Sequence, residues 1–286
     1  MQIIGNKIFS VRETVRSCSI FIPLSFFEVK SFFVSYGTKE IIANLSFEME
    51  QNEILGILGA NGCGKTTLLK AMCGALPSRG SCLLFGQDLL AMSIQERAKV
   101  CSYIPQRSGI SLDISCLDVV LMGFNPYLGL LESPSEKMKE SAKKALENVG
   151  FAHLCDANYQ TLSEGQKQLV ILARTLVYKR NIIFLDEPES ALDFGERYKM
   201  LAKIRNWVSE DRRGAIVTLH DPQLALNNCD KILFTRGGKV EAVISPKTTP
   251  REEIEKHLKN IFGNLSLHLC QNKQGKEQFV LLREEA

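Results

Sequence analysis

Residues 54–66 read ILGILGANGCGKT, an apolar run that passes directly into a glycine-rich loop. Within it, Gly59 to Thr66 fit the phosphate-binding pattern G-x-x-x-x-G-K-[ST]. Glycines allow successive backbone N–H groups to converge on phosphate oxygens, and the start of the next helix adds favourable partial charge. An ordinary strand–turn–helix corner does not need a lysine aimed into its own turn. The segment therefore predicts a strand, a nucleotide-binding loop and a helix.

The residues of this loop have separate expected roles. The side chain of Lys65 is expected to reach the β- and γ-phosphates, and the hydroxyl of Thr66 to ligate Mg²⁺. The predicted nucleotide contacts of the loop are Gly59, Ala60, Asn61, Gly62, Cys63, Gly64, Lys65, Thr66 and Thr67.

A second apolar strand ends in an acidic pair, since residues 182–188 read IIFLDEP. Open α/β sheets bind their ligands at the carboxyl ends of strands, which is where Asp186 and Glu187 lie. Asp186 suits Mg²⁺, a cation that prefers oxygen ligands, and Glu187 would polarise the water that attacks the γ-phosphate. Alone, such a pair is more often an exposed turn, but downstream of a phosphate-binding loop the catalytic interpretation is favoured.

The alternation of helices and strands indicates an α/β fold. The apolar strands at 182–185 and 215–219 are each preceded by a helical segment, at 166–178 and 195–209. Strands that are apolar throughout are typical of a mainly parallel sheet covered on both faces.

Other regions depart from this alternation. Residues 27–58 are strand-like, and residues 107–160 have helical spacing broken by prolines, which indicates a helical insertion. Residues 231–244 read as a hairpin. Residues 246–286 read as a helix, from Pro250 to Phe262, and a short tail.

Composition and charge exclude several classes of protein. Hydrophobic residues make up 45% and charged residues 23% of the 286, as in ordinary globular proteins, and a net charge of +3 argues against nucleic acid as the main ligand. The nine scattered cysteines indicate a reducing compartment, and no apolar run approaches the ~20 residues of a membrane-spanning helix. Residues 1–26 faintly resemble a signal peptide but lack a cleavage site, so we interpret them as an extension of unassigned role.

A third segment, LSEGQ at residues 162–166, opens the helical pattern that follows it. Taken alone, Ser163 is a good helix N-cap, and capping is the simplest interpretation.

Together and in this order, the three segments resemble the ATP-binding cassette (ABC) family, whose signature is Leu-Ser-Gly-Gly-Gln. The resemblance covers about residues 27–250. Further landmarks are matched by Gln106 (the Q-loop glutamine that senses Mg²⁺), Ser190 to Asp193 (the D-loop), His220 (the switch histidine that contacts the γ-phosphate) and Tyr36 (the aromatic residue that stacks on adenine).

The resemblance implies a P-loop NTPase (RecA-like) fold, an α/β core with an antiparallel β subdomain and a helical subdomain at about 107–165. It divides the chain into an extension (1–26), an ATP-binding domain (27–250) and a C-terminal helix and tail (251–286).

The resemblance also implies ATP and Mg²⁺ as ligands and a set of site residues. Glu187 and His220 would be catalytic. Further nucleotide contacts would come from Tyr36, Gln106, Ser163, Gly165, Gln166 and Asp193, and metal contacts from Thr66, Gln106 and Asp186. In the family, Ser163 and Gly165 of one subunit would close over ATP bound to the other. Glu164 replaces the first signature glycine; it could repel the γ-phosphate or cap the following helix, and we favour capping.

The expected partners follow from the same resemblance. One phosphate-binding loop and one signature imply a head-to-tail dimer with a second copy or a similar cassette. Integral-membrane permease subunits, and indirectly a substrate-binding protein, complete the expected assembly at the cytoplasmic face of the cell membrane, with no nucleic acid.

The cargo is indicated by two short segments. Residues 122–130 and 191–195 resemble the cassettes of importers for iron-siderophore, haem and cobalamin complexes. The alternatives are a zinc or manganese importer, a non-transport ABC ATPase, or a protein that binds ATP without hydrolysing it. Retention of Glu187 and His220 argues against the last of these.

Overall fold

The computed structural model describes residues 25–107, 109–129, 131–210 and 212–284. The strands of these residues are β1 (Phe27–Tyr36), β2 (Lys39–Met49), β3 (Ile54–Gly59), β4 (Arg79–Leu84), β5 (Gln87–Asp88), β6 (Cys101–Ile104), β7 (Ile182–Asp186), β8 (Gly214–Thr218), β9 (Lys231–Arg236), β10 (Lys239–Ile244), β11 (Leu265–Gln271) and β12 (Glu277–Arg283). The predicted extension, apart from its last two residues, lies outside the described residues.

The helices are α1 (Lys65–Met72), α2 (Ile94–Val100), α3 (Cys116–Leu121), α4 (Glu136–Asn148), α5 (Glu164–Leu176), α6 (Phe194–Val208), α7 (Pro222–Asn228) and α8 (Arg251–Phe262). Within the described part of the chain, none of them has the length and apolar character needed to cross a membrane.

A six-stranded sheet with the order β10-β9-β3-β8-β7-β6 forms the centre of the molecule. Its neighbouring strands are parallel, apart from the antiparallel β9–β10 hairpin. Strands β3, β7 and β8 are buried throughout. Side chains that alternate along β7 enter different cores: Ile183 and Leu185 pack on one side of the sheet, Ile182 and Phe184 on the other. The predicted parallel sheet, covered on both faces, is confirmed.

A second, antiparallel sheet has the order β2-β1-β4-β5 and covers one face of the central sheet. The ring of Phe27 in β1 meets that of Phe184 edge-on, with centroids 6.0 Å apart. Phe26 is also buried and packs edge-on against Phe85 at 5.1 Å. The predicted antiparallel subdomain is confirmed, and the ordered core includes Phe26.

The helical region between β6 and β7 is built from α3, α4 and α5, which share a core with the other face of the sheet. Ser115, Ser135 and Ser163 each accept a backbone N–H at a helix start, so the three helices begin where a capping serine stands. Pro126 lies in a short 3₁₀ helix (Met122–Tyr127) that ends α3. The helical insertion is therefore present, and its boundaries at about 107–165 stay a prediction.

The C-terminal region differs from the prediction of a helix and short tail. After α8, β11 and β12 form an antiparallel hairpin. Asn227 of α7 joins the hairpin by donating from Nδ2 to the Phe279 carbonyl (2.9 Å) and accepting the Phe279 N–H on Oδ1 (2.8 Å). An isolated two-stranded hairpin is marginally stable in water, so this one depends on contacts with α7 that the local sequence does not display.

Most of the described cysteines are buried, and all of them are free thiols. Burial raises the pKa of Cys101 to about 12, and it also raises the pKa of Cys82 and Cys229. These thiols therefore stay protonated near neutral pH and pack as small apolar side chains.

Candidate active site

The loop between β3 and α1 has a backbone that requires glycine. Gly62 and Gly64 have φ values of +75° and +101°, in the region that side chains disfavour. At Gly59 a Cβ atom would lie 2.3 Å from Thr235 Oγ1 and 2.6 Å from Cys63 Sγ. These φ values and close contacts explain why glycines stand at these positions of the predicted phosphate-binding loop.

Lys65 is buried and turned back into this loop. Its Nζ donates to the carbonyls of Gly59 (3.0 Å) and Ala60 (3.4 Å), and it lies 3.9 Å from Glu187 Oε1. The adjoining cavity of about 230 Å³ is lined by Ile41, Asn61, Gly62, Gly64, Lys65, Thr66, Thr67 and Glu187. The loop and the acidic pair, about 120 residues apart in sequence, thus meet at one opening.

Asp186 is held by three hydroxyl groups. Thr66 Oγ1 and Thr218 Oγ1 each donate to Oδ1 at 3.0 Å, and the phenol of Tyr103 donates to Oδ2 at 3.1 Å. Burial, reinforced by the Asp186 carboxylate, raises the pKa of Tyr103, so the phenol stays protonated and remains a donor. Sequence reasoning assigned no role to Tyr103 or Thr218, although Thr218 ends the strand beside β7 and pairs with Asp186 in register.

Glu187 has an unusual backbone and a crowded carboxylate. Its φ of +46° costs a non-glycine residue roughly 1 kcal/mol, and its N–H donates to Thr218 Oγ1 at 2.8 Å. Its Oε2 accepts from Gln106 Nε2 at 2.8 Å and lies 2.7 Å from His220 Nε2. The structure thus brings the predicted Q-loop glutamine, catalytic carboxylate and switch histidine together.

The residues at this opening suit Mg²⁺ that arrives with a nucleotide. Thr66 and Asp186 present neighbouring oxygen atoms, the ligand type this cation prefers. Gln106, the third predicted metal contact, directs its side-chain amide at Glu187. Among the described residues, no group of three His, Cys, Asp or Glu side chains could hold a metal by itself. In phosphate-transfer sites Mg²⁺ is usually held by one or two protein ligands together with substrate oxygens and water.

The signature segment lies at a separate cavity of about 580 Å³, which Ser163, Gly165, Gln166 and Asp193 help to line. Ser163 and Gln166 form a reciprocal capping box at the start of α5. A Cβ on Gly165 would lie 2.9 Å from the Ala191 carbonyl, so the D-loop packs closely on the signature of the same chain. Asp193 caps α6 by accepting the Glu196 N–H at 2.9 Å.

The Glu164 side chain is directed toward Lys167, one turn further along α5. Its carboxylate lies 2.9 Å from Lys167 Nζ, and its side chain is 66% exposed. An exposed ion pair contributes little to stability, and the Glu164 carboxylate is engaged by Lys167 of its own helix. We therefore expect Glu164→Ala to change the ATP hydrolysis rate by less than about threefold. The comparison is Glu136→Ala, because Glu136 forms the same pair with Lys139 behind a serine cap on α4. A tenfold faster Glu164→Ala, with Glu136→Ala unchanged, would show that Glu164 repels the phosphate.

Tyr36 and Gln168 are two further residues to be placed relative to the site. Tyr36 is 54% exposed at the end of β1, and its stacking on adenine stays a prediction; Ile41 of β2 lines the loop cavity. Gln168, to which sequence reasoning gave no role, is buried in α5 and donates from Nε2 to the backbone carbonyl of Gln106. A polar residue within the apolar run of α5 was the available signal. The contact joins α5 to the segment that carries Gln106.

Comparison with known proteins identifies relatives of this arrangement. Residues 42–190 match the family described as ABC transporter. The chain is 37% identical over 234 residues to the hemin import ATP-binding protein HmuV of Pseudomonas fluorescens, covering 79% of this chain and 88% of the relative. It is 34% identical over 215 residues to an iron chelatin transport ATP-binding protein of Helicobacter pylori, covering 74% and 84%.

Among solved structures, an inward-facing metal-chelate type ABC transporter superposes with a TM-score of 0.77. The two chains are 24% identical, and the match covers 91% of this chain and 98% of the other. At this identity the likeness shows the fold. A nucleotide-free ATP-binding cassette superposes with a TM-score of 0.72 at 21% identity.

Proposed function

The chain belongs to the ABC transporter family as an ATP-binding subunit, and from that premise we propose that its active site couples ATP hydrolysis to import through a separate membrane permease. The observation that carries the proposal is the position of Glu187. Its carboxylate lies at the end of β7, 3.9 Å from the loop lysine and 2.7 Å from His220 Nε2. A protein that merely holds nucleotide needs neither that carboxylate nor that histidine.

Each side chain has a defined part in hydrolysis. The backbone N–H groups of the loop and the Lys65 ammonium bind the β- and γ-phosphates and offset their charge. The Glu187 carboxylate orients the attacking water and accepts its proton, while His220 holds Glu187 and contacts the γ-phosphate. Gln106 donates to the same carboxylate oxygen, so its position would respond to the γ-phosphate end of the nucleotide.

Thr66 and Asp186 are the residues that would hold Mg²⁺. When bound there, Mg²⁺ would supply positive charge to offset that of the phosphate oxygens. Tyr103 and Thr218 orient the Asp186 carboxylate from two sides.

A second copy, or a similar cassette, completes the site. Ser163, Gly165 and Gln166 line a cavity other than that of Lys65. A head-to-tail partner would bring its own signature to the nucleotide held here, so that ATP binding closes the dimer and hydrolysis opens it. Attached to permease subunits at the cytoplasmic face of the membrane, this movement would drive transport of cargo delivered by a substrate-binding protein.

The cargo we propose is an iron-siderophore, haem or cobalamin complex. The names of the hemin and iron chelatin relatives support an iron chelate or haem over zinc or manganese. The test uses cells lacking the gene, complemented with the wild-type chain or with Glu187→Gln. We expect uptake of haemin or of a ferric siderophore to return with the wild-type chain alone. Loss and recovery of zinc or manganese uptake instead would overturn the cargo assignment.

A further inference from the structure

Glu189 is a buried acid beside the catalytic residues that the proposed mechanism does not use. It is 2% exposed, and its Oε1 accepts the backbone N–H of His220 at 3.0 Å. Its Oε2 has no hydrogen-bond partner within the described part of the chain. Burial raises the pKa of this carboxyl, and the neighbouring Glu187 adds to the rise, while the His220 N–H opposes it. One oxygen of this buried carboxyl binds the segment that carries His220 and the other is unpaired among the described residues, an arrangement that requires an explanation.

The surroundings of Glu189 show what it connects. Its backbone belongs to the turn after β7, where the Ser190 N–H donates to the Glu187 carbonyl (3.1 Å) and the Leu192 N–H to the Glu189 carbonyl (3.0 Å). Its side chain crosses to the segment after β8. The Glu189–His220 bond therefore ties the turn that carries Glu187 to the turn that carries its histidine.

We propose that Glu189 is a positioning residue, whose side chain fixes the backbone of His220 so that the imidazole meets Glu187. The inference rests on the proposed roles of Glu187 and His220. The residues on either side of His220 are also anchored: the Leu219 N–H donates to the Ile57 carbonyl (3.2 Å), and Asp221 caps α7. Glu189 supplies the anchor at His220 itself, whose side chain is 43% exposed.

A hydrogen bond, rather than negative charge, explains the contact. Burial favours the neutral acid, and a neutral carboxyl still accepts an N–H through its carbonyl oxygen. Glutamine has the same length and the same acceptor but no charge, whereas aspartate keeps the acid and is one methylene shorter. The two substitutions therefore separate reach from charge.

The experiment measures kcat and KM for ATP, and thermal unfolding, for Glu189→Gln and Glu189→Asp. We expect Glu189→Gln to keep kcat within about threefold. Glu189→Asp should lower kcat about 10- to 100-fold with KM within about twofold, because a small misplacement of a catalytic group has effects of this size. Both variants should unfold at lower temperature, since each leaves a buried polar group poorly paired. Both variants would then lose stability, but only Glu189→Asp would lose activity. A merely structural role would instead lower activity and stability together.

Two results would overturn the inference. Wild-type kcat in Glu189→Asp would show that reach to His220 is not needed, and a low kcat in Glu189→Gln with activity in Glu189→Asp would assign the role to charge. Glu187→Gln, measured in parallel, separates this inference from the proposed function. Normal hydrolysis by Glu187→Gln would remove the catalytic assignment itself, whatever the Glu189 variants do.

Discussion

Replacing Glu187 by glutamine should lower ATP hydrolysis at least about 100-fold while leaving ATP binding unchanged. The carboxylate is the acceptor for the proton of the attacking water, and a positioned general base contributes 10²–10⁴-fold to rate. Glutamine has the same shape and can still accept from Gln106, whose Nε2 lies 2.8 Å from Oε2. The nucleotide would therefore bind in a site that has lost its base and little else.

The binding half of this prediction is measured by light scattering and by ATP-dependent thermal stabilisation. A variant that binds ATP without hydrolysing it should accumulate as a closed dimer, so its mass should double in ATP and not in ADP. Glu252→Gln is the matched control, since this carboxylate is 80% exposed on α8. Hydrolysis by Glu187→Gln at the rate of Glu252→Gln would falsify the assignment of Glu187. Loss of hydrolysis without a dimer would show that closure needs the permease or a different cassette.

Much of this site follows from sequence because its chemistry is local. The phosphate-binding loop needs glycines at positions with positive φ, such as Gly62 and Gly64, and no other residue type fits them as well. Asp186 follows a strand that is apolar throughout, and that pattern alone places it at the ligand-binding edge of a parallel sheet. Short motifs that combine backbone geometry with one side-chain role can be recognised without coordinates.

The supporting residues could not be predicted, because their roles arise from contacts distant in sequence. Tyr103 reaches Asp186 across 83 positions and Gln168 reaches Gln106 across 62. Nothing adjacent to Tyr103 indicates its contact with Asp186. The position of Gln168 within the apolar run of α5 indicates burial but does not identify Gln106 as its partner. The C-terminal hairpin was missed for the same reason, since Asn227, which holds Phe279, lies 52 positions away.

Replacing Lys65 by methionine should abolish both hydrolysis and high-affinity ATP binding. Methionine approximates the lysine stem but carries no charge, so the β- and γ-phosphates lose their principal cation. Truncating one partner of a buried, hydrogen-bonded charge pair costs about 2–5 kcal/mol, and each 1.4 kcal/mol is tenfold in affinity. We therefore expect the Kd for MgATP to rise at least about 30-fold, measured by titration calorimetry. Lys70→Met, on the last turn of the same helix, is the control and should bind normally.

Loss of binding must be separated from collapse of the loop, because Lys65 Nζ also holds the Gly59 and Ala60 carbonyls. Thermal unfolding with and without MgATP makes the distinction. Ligand at 100 times Kd stabilises a protein by about 2.7 kcal/mol, so the wild-type chain and Glu187→Gln should both unfold at higher temperature in MgATP. Lys65→Met loses the bonds to these two carbonyls, so it should unfold somewhat below the wild-type temperature without nucleotide, and it should gain nothing from MgATP. If Lys65→Met keeps the full MgATP shift, the phosphates bind elsewhere, and the site assembled around Glu187 is not the hydrolytic one.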